Sequence, residues 1–133
     1  RIYSSRKYKE LITMICIRGA ITVEQNDKQQ ILQATKNMIQ MIIEQNQLVL
    51  SDIIEIQFTM TKDLDAVYPA VVAREMGITD AALMCMQELY IKGSLEKCIR
   101  CAVLCNTDKK QKEAIHIYLE KAKILRPDLN TSK

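Results

Sequence analysis

Two charged residues lie where an apolar environment is expected. Arg100 sits inside the apolar run of residues 98–105, and Glu88 follows the apolar run of residues 81–86 with only Gln87 between them. An ionised group that leaves water costs several kcal/mol unless it is paired and hydrogen-bonded. The sequence therefore predicts that each charge has a partner of opposite sign, either in the chain or in a ligand.

Two further arginines add positive charge that Glu88 alone cannot neutralise. Arg18 interrupts the apolar run of residues 12–20, and Arg74 belongs to a predicted short helix. The guanidinium is a planar fork that suits bidentate binding of carboxylates. The set predicts a preformed site for a small dianionic ligand. The alternative for each arginine is an ion pair between subunits, or a side chain that reaches the rim of the fold.

Groups for covalent or acid–base chemistry are scarce in the sequence. There is no Ser-His-Asp order, no phosphate-binding Gly-rich loop and no metal-ligand cluster. The single histidine, His116, is predicted to be hydrogen-bonded rather than catalytic. An enzyme working at this site would have to rely on electrostatics and on orientation of its substrate.

The composition is typical of one ordinary globular domain. With 133 residues, of which 48% are apolar, the chain can bury a core of its own. No apolar stretch approaches the roughly 20 residues that span a bilayer, so we expect a cytoplasmic protein without membrane contact. The net charge of +3 arises within residues 1–13, and the rest of the chain is neutral. Nucleic acid is therefore not an expected partner.

The five cysteines are expected to be free thiols. Their number is odd and no secretory signal precedes them, which argues against a disulfide framework. Cys98 and Cys101 form a CxxC pattern, but side chains three residues apart on a strand point to opposite faces and cannot bind one metal ion. We expect buried thiols that pack as small apolar groups.

Hydrophobic periodicity predicts five strands and two helices. A long amphipathic helix begins after Asn26 or Asp27, and a short helix spans residues 70–76 and ends at Gly77. The predicted strands cover residues 12–20, 54–60, 81–86, 98–106 and 115–120. The first is expected to be buried on both faces and closed by Gly19, and the second to bury every other residue from Ile54.

The order of these elements implies an α+β fold, in which the long helix covers one face of a mixed five-stranded sheet. The chain has no second long helix for the other face. We therefore expect identical subunits of a closed cyclic oligomer to cover it.

Five separated motifs, in the same order from about Met14 to the end, resemble those of the monofunctional AroH-class chorismate mutases. The motifs are Ile17-Arg18-Gly19-Ala20 with Thr22-Val23-Glu24; Asp65-Ala66-Val67-Tyr68-Pro69-Ala70 with Arg74-Glu75; Cys85-Met86-Gln87-Glu88; Lys97-Cys98-Ile99-Arg100; and Tyr118-Leu119-Glu120-Lys121-Ala122 with Leu125-Arg126-Pro127-Asp128-Leu129.

The resemblance implies ferredoxin-like subunits that form a pseudo α/β-barrel homotrimer with active sites at the subunit clefts. It also implies the cofactor-free [3,3] Claisen rearrangement of chorismate to prephenate, a step toward phenylalanine and tyrosine. The competing hypothesis is a non-catalytic trimeric module that binds or senses a small anionic metabolite through the same arginines.

The resemblance further implies roles for individual residues. Arg100 would face the ether oxygen of the substrate and Glu88 its hydroxyl. Arg18 and Tyr118 would bind carboxylate groups. The other implied substrate-binding residues are Met84, Cys85, Met86, Gln87, Leu125 and Arg126, together with Tyr68, Ala70 and Arg74 of the neighbouring subunit.

The resemblance also suggests how the chain is divided. Residues 1–13 have no counterpart in the family and are expected to be a basic extension, either added artificially or preceding the true start at Met14. Residues 14–125 would form the chorismate mutase domain. Residues 126–133 would be a polar tail that folds over bound substrate.

Overall fold

The computed structural model describes residues 13–130. Most of the regular secondary structure there belongs to a five-stranded sheet and one long helix. The strands are β1 (Met14–Thr22), β2 (Ile53–Met60), β3 (Ala82–Gln87), β4 (Cys98–Asn106) and β5 (Ile117–Tyr118). The helices are α1 (Lys28–Asn46) and α2 (Ala70–Glu75), and short 3₁₀ segments span Leu50–Asp52, Gln111–Glu113, Glu120–Leu125 and Pro127–Asn130. This order confirms the predicted α+β fold.

The sheet is mixed, with the strand order β3-β2-β4-β1-β5. β1 and β2 both run antiparallel to β4, whereas β5 is parallel to β1 and β3 is parallel to β2. β1 and β4 pair over their whole lengths, from Met14 opposite Asn106 to Thr22 opposite Cys98. Strands from the two ends of the chain are therefore neighbours, and this brings the predicted arginines of β1 and β4 onto adjacent strands.

Helix α1 covers one face of the sheet. Asp27 caps its first turn by accepting a hydrogen bond from the main-chain nitrogen of Gln30 at 3.0 Å, as the sequence predicted. The buried side of the helix consists of Ile31, Ala34, Thr35, Met38, Ile39, Ile42 and Asn46. Each large aliphatic side chain buried here stabilises the fold by roughly 1.5–3 kcal/mol. The helix thus covers one face of the sheet. On the opposite face, called the open face below, the described residues cover only the end around Ala20, which packs with Tyr118 and Ala122, while Arg18, Met84 and Met86 are exposed.

Gly19 lies within β1 and faces this helix. A Cβ at position 19 would lie 2.8 Å from Ile42 Cδ1, 3.0 Å from Met38 Cγ and 3.1 Å from Cys101 Sγ. The prediction that Gly19 closes the strand was wrong, because the glycine instead lets α1 approach the sheet closely. The predicted burial of both faces was also wrong, since Arg18 is exposed on the open face.

A register shift in β2 determines which of its isoleucines are buried. Ile53 lies opposite Cys105 and Glu55 opposite Leu104, so Ile54 is an extra residue between them. Ile53 is buried and Ile54 is exposed. The predicted burial of Ile54 was wrong, because a bulge shifts the side-chain alternation by one position.

Strand β3 is an edge strand, not the buried strand predicted for residues 81–86. Met84 and Met86 are 56% and 41% exposed, and Leu83 and Cys85 are only partly buried against the core. Apolar composition alone does not distinguish a strand inside one subunit from a strand at an apolar surface. The outer edge of β3 is therefore a surface that a second molecule could cover.

Strand β5 is shorter than the predicted strand at residues 115–120, because a side chain replaces main-chain pairing at its start. Asn46, at the end of α1, donates a hydrogen bond to the carbonyl oxygen of Ile115 at 2.9 Å and accepts one from its nitrogen at 2.8 Å. At the other end, Glu120 has a φ of 53°, which turns the chain into a 3₁₀ segment. The strand is thereby limited to Ile117–Tyr118.

The predicted polar tail begins with ordered structure. Residues 127–130 form a 3₁₀ segment, and Arg126 forms an ion pair with Asp128 at 3.0 Å. Residues 131–133 and all but Thr13 of the predicted basic extension lie outside the described residues. Within residues 13–130, no helix combines the length and the hydropathy that crossing a membrane requires.

Candidate active site

Arg100 projects from β4 onto the open face of the sheet. Its neighbours in register are Ala20 on β1 and Thr59 on β2, two short side chains that leave space beside the guanidinium. The Arg100 side chain is 29% exposed. An apolar strand tolerates this arginine because every second residue of β4 faces away from the core, as predicted for Cys98, Arg100, Ala102 and Leu104.

Glu88 is held beside Arg100 by two strands. Its main-chain nitrogen donates to the carbonyl oxygen of Met60 at 2.8 Å, which continues the pairing of β2 and β3 by one residue. Its Oε1 accepts a hydrogen bond from Thr59 Oγ1, and its Oε2 lies 3.5 Å from Arg100 Nη1. This contact is long, and within residues 13–130 the Arg100 guanidinium makes no other hydrogen bond. Donors of Arg100 are therefore available to a ligand.

Arg18 lies on β1, the strand next to β4, and it also faces the open side of the sheet. Among the residues that the structure describes, no carboxylate forms an ion pair with it. Its main-chain nitrogen donates to His116 Nδ1 at 2.9 Å, which confirms that the histidine is hydrogen-bonded. Partial burial and then the charges of Arg18 and Arg126 lower the pKa of His116. The imidazole is therefore mainly neutral near pH 7 and adds no positive charge beside Arg18.

Tyr118 carries a buried hydroxyl next to this cationic region. The residue is 3% exposed and packs with Ala20, Cys98 and Ala122. Its hydroxyl makes no hydrogen bond of standard geometry within the described part of the chain. It nevertheless lies close enough to Arg126 to contribute, after Asp128, to the raised pKa of that guanidinium. A buried polar group without a clear partner marks a place where a ligand can bind.

Two shallow depressions meet at Arg100 and Glu88. One, of about 230 Å³, also contains Arg18. The other, of about 180 Å³, has apolar walls from Leu89, Ile91, Leu95, Cys98 and Leu125. Both are smaller than the roughly 300–1,000 Å³ of a typical ligand pocket. The surface thus offers two cations, one carboxylate and an apolar wall, but a single subunit leaves it open.

The cysteines are buried or partly buried thiols, as predicted. Cys98 faces the open side and Cys101 the helix side, and burial raises their pKa values to about 11 and about 12. None of the five cysteines forms a disulfide. The part of the chain that the structure describes contains no group of three His, Cys, Asp or Glu side chains placed to bind a metal ion.

Comparison with known proteins accounts for this arrangement. The family model for chorismate mutase type I matches residues 14–129. The chain belongs to this family. It is 43% identical over 118 residues to chorismate mutase AroH of Bacillus subtilis (strain 168), an alignment that covers 88% of this chain and 93% of the relative. It is 38% identical over 118 residues to chorismate mutase AroH of Thermus thermophilus, which covers 88% and 97%.

A solved structure supports the same assignment. The chorismate mutase from Clostridium thermocellum Cth-682 matches with a TM-score of 0.80 and 50% sequence identity, over 82% of this chain and 97% of that chain. The resemblance to AroH-class chorismate mutases that the five motifs predicted is therefore confirmed.

The type I chorismate mutase motif at β3 contributes residues to both faces of the sheet. Met84 and Met86 lie opposite Gln57 and Thr59 in register and share the open face with Arg100. Cys85 lies opposite Phe58 and packs partly against the core, so its side chain faces away from Arg100. Gln87 is exposed at the end of the strand. Roles in substrate binding for this set stay predictions.

The residues predicted to come from a neighbouring subunit lie away from Arg100 within this chain. Tyr68 is 70% exposed and lines an apolar groove of about 600 Å³ together with Met86 and Gln87. Arg74 is exposed on α2, and Ala70 is buried in the core. None of the three lines either depression at Arg100. One subunit therefore does not bring the full predicted set together.

The C-terminal residues lie nearer the site. Leu125 lines the apolar depression beside Arg100, and Arg126 lies close to Tyr118. Sequence reasoning did not assign a role to Thr59, which bonds to Glu88 and lies opposite Arg100. The polar alternation of β2 was the available signal, since Thr59 belongs to the face that it predicted to be polar.

Proposed function

We propose that this chain is a chorismate mutase that converts chorismate to prephenate in aromatic amino acid biosynthesis. The reaction is a [3,3] rearrangement within one molecule, in which an ether C–O bond breaks as a C–C bond forms. No atom is gained or lost, so the proposed mechanism uses no cofactor. The observation that supports it most directly is the Arg100–Glu88 pair beside Arg18, on the open face of a type I chorismate mutase chain.

Arg100 is assigned to the breaking bond. Negative charge grows on the ether oxygen as that bond breaks, and a preorganised cationic donor stabilises this charge more in the transition state than in the substrate. Such a donor contributes roughly 3–4 kcal/mol. Glu88, oriented by Thr59, would accept a hydrogen bond from the substrate hydroxyl and would keep Arg100 in place through their 3.5 Å contact.

Arg18 and Tyr118 are assigned to the carboxylates of the substrate. The exposed guanidinium and the buried hydroxyl would hold chorismate in the compact diaxial shape from which the new bond can form. Fixing a reactive conformer in advance removes part of the entropic barrier. Met84, Met86, Gln87, Cys85, Leu125 and Arg126 are proposed to line the site, with Tyr68, Ala70 and Arg74 contributed by a neighbouring subunit.

The decisive experiment follows the loss of chorismate ultraviolet absorbance with purified protein, in buffer that contains EDTA and no added cofactor. We expect turnover far above the uncatalysed rate. Calorimetric binding of chorismate without turnover would instead favour the alternative, a trimeric module that binds or senses an anionic metabolite. Neither binding nor turnover would refute both.

A cytoplasmic homotrimer is part of the proposal. The odd number of cysteines is in line with a reducing compartment. The exposed apolar edge at β3, the small size of both depressions and the distant position of Tyr68 all favour a site completed by another subunit. A contact between two different surface patches forms a closed ring when the rotation between subunits allows it, and the proposed cyclic trimer is such a ring.

Assembly can be tested at the β3 edge. We expect the chain to sediment at three times its 15.3 kDa mass. We expect Met86→Glu to sediment as a monomer and to lose activity while keeping its circular dichroism spectrum, because a carboxylate would be buried in an apolar contact. Lys36→Ala, on the exposed side of α1, is the matched control and should remain trimeric. An active monomeric Met86→Glu would contradict the shared site.

Tyr118→Phe should separate binding from stability. Removing a hydroxyl that is buried without a clear partner should leave the free energy of unfolding in urea unchanged or about 1 kcal/mol higher. The same change should raise KM for chorismate roughly tenfold, because a hydrogen bond to a carboxylate is lost.

Tyr90→Phe is the matched control, since Tyr90 is exposed and should change neither quantity. A marked loss of stability in Tyr118→Phe would show that the hydroxyl has a structural partner instead.

A further inference from the structure

The side chain of His116 pairs with the main chain of Arg18 at the edge of β1, next to the point where β5 begins. The parallel pairing of β1 and β5 begins with Gly19 opposite Ile117. One residue earlier, the main-chain N–H of Arg18 donates to His116 Nδ1 at 2.9 Å, a position that a main-chain carbonyl oxygen would occupy in a longer strand. The edge of the sheet at Arg18 is therefore held by an imidazole.

We propose that His116 is a positioning residue for Arg18: the neutral imidazole fixes the main chain from which the substrate-binding guanidinium projects, and protonation of the imidazole releases it. The inference rests on the proposed function and deepens it, because it gives the carboxylate-binding part of the site an acid-sensitive support.

The chemistry of the imidazole explains why the hydrogen bond between His116 and Arg18 is sensitive to acid. Nδ1 can accept a hydrogen bond only while it is unprotonated, and an imidazolium carries an N–H on both ring nitrogens. Protonation would therefore place the Nδ1 proton against the N–H of Arg18. The charged groups that face the imidazole are Arg18 on β1 and Arg126 in the C-terminal segment. Both are cations, so a third positive charge is disfavoured there.

The direction of the pH effect follows from these neighbours. Partial burial, then Arg18 and Arg126, lower the pKa of His116 from its usual 6.5. The neutral imidazole is then the major form at and above pH 6.5, and the hydrogen bond is lost mainly at lower pH. Because the unfolded chain binds this proton more readily than the folded chain, the free energy of unfolding also falls as pH drops below 6.5.

The sign of the change in KM distinguishes positioning from simple electrostatics. An added positive charge near Arg18 would attract a dicarboxylate, so electrostatics alone would lower KM in acid. Displacement of the Arg18 guanidinium from its binding position would instead raise KM. We expect KM for chorismate to rise about five- to tenfold as the imidazole becomes protonated below pH 6.5, the effect of losing one hydrogen bond, with a smaller change in kcat. A KM that falls as the pH is lowered would overturn the proposal.

Two substitutions at position 116 test whether the hydrogen-bond acceptor is what matters for KM. In His116→Asn, the amide oxygen lies at the same distance along the side chain as Nδ1 and can accept the same hydrogen bond without titrating. His116→Leu has no acceptor. We expect His116→Leu to raise KM about five- to tenfold at every pH. His116→Asn should restore a KM near that of the unchanged protein and abolish the rise in acid. Persistence of that rise in His116→Asn would refute the proposal.

Nuclear magnetic resonance provides a readout that does not depend on turnover. His116 is the single histidine of the chain, so its ring signals can be followed without ambiguity. We expect it to titrate below pH 6.5, and the Arg18 amide signal to shift with the same midpoint. A midpoint at or above 6.5, or an Arg18 amide that does not respond, would overturn the inference. Absence of turnover in the unchanged protein would instead refute the proposed function.

Discussion

Replacing Arg100 with alanine should lower kcat for chorismate by about two to three orders of magnitude. The guanidinium is the cation on the open face that is paired with the Glu88 carboxylate at 3.5 Å and still has unused donors within the described chain. Alanine removes the donor that would meet the charge growing on the ether oxygen. Since that charge is largest in the transition state, the loss should fall on kcat more than on KM.

The fold should survive this substitution. The Arg100 and Glu88 side chains are 29% and 25% exposed and their contact is long, so this half-buried pair should contribute only about 1 kcal/mol to stability. Glu88 keeps its hydrogen bond from Thr59. A urea unfolding curve close to that of the unchanged protein would therefore accompany the loss of rate.

Arg100→Lys tests whether charge alone is sufficient. Lysine keeps the positive charge but not the planar fork, so we expect a substantial loss of kcat here as well. Lys36→Ala, which removes an exposed cation on the far side of α1, should have no effect. An unchanged rate in Arg100→Ala would show that the arginine has a structural role only.

Gly19→Val should destabilise the protein by roughly 3 kcal/mol, the upper part of the range for overpacked cores. Even a Cβ would lie 2.8 Å from Ile42 Cδ1, and valine adds two methyl groups beyond it. The side chains of Ile42, Met38 and Cys101 would have to shift in a closely packed core. Because small domains are stable by only about 5–15 kcal/mol, urea unfolding should show a large shift of the midpoint.

Gly93→Ala provides the control for this steric argument. Gly93 has a φ of 83°, but no atom lies within 4 Å of the position that a Cβ would occupy, so the cost should be limited to about 1 kcal/mol of backbone strain. If Gly19→Val costs no more than Gly93→Ala, the close approach of α1 is not important for stability.

Local patterns were sufficient to predict the elements of the fold. The helical spacing and cap of α1, the alternation along β4 and the opposite directions of Cys98 and Cys101 all depend on residues close in sequence. These patterns have a direct geometric cause, since side chains repeat every 3.6 residues in a helix and every second residue in a strand.

Contacts between distant segments were not predictable in the same way. Nothing in the alternation of β2 signals the bulge at Ile54, and nothing in β1 signals that Gly19 will face a helix. The approach of Glu88 to Arg100 depends on the pairing of β2 with both β3 and β4. Such features follow from tertiary packing, which a local pattern does not specify.

The candidate site was predicted in part. Charge in apolar runs indicated Arg18, Glu88 and Arg100, and the structure places all three around one depression. Tyr118 and the wall residues came only from the resemblance, because a buried tyrosine is not distinguishable by sequence from a core residue. Tyr68 and Arg74 lie elsewhere on the chain, since their proposed contribution depends on another subunit.

The strand order has a consequence for how the protein is made. β1 is the first of the described strands in the sequence, yet both of its sheet neighbours, β4 and β5, are synthesised after residue 97. The isoleucines of β1 can therefore be buried within the sheet only after β4 has been synthesised. Pairing between distant segments is slow and leaves apolar strands exposed in the meantime. The nascent chain thus has a long period in which a chaperone could bind it, and Arg18 and Arg100 come onto adjacent strands only after β4 has been synthesised.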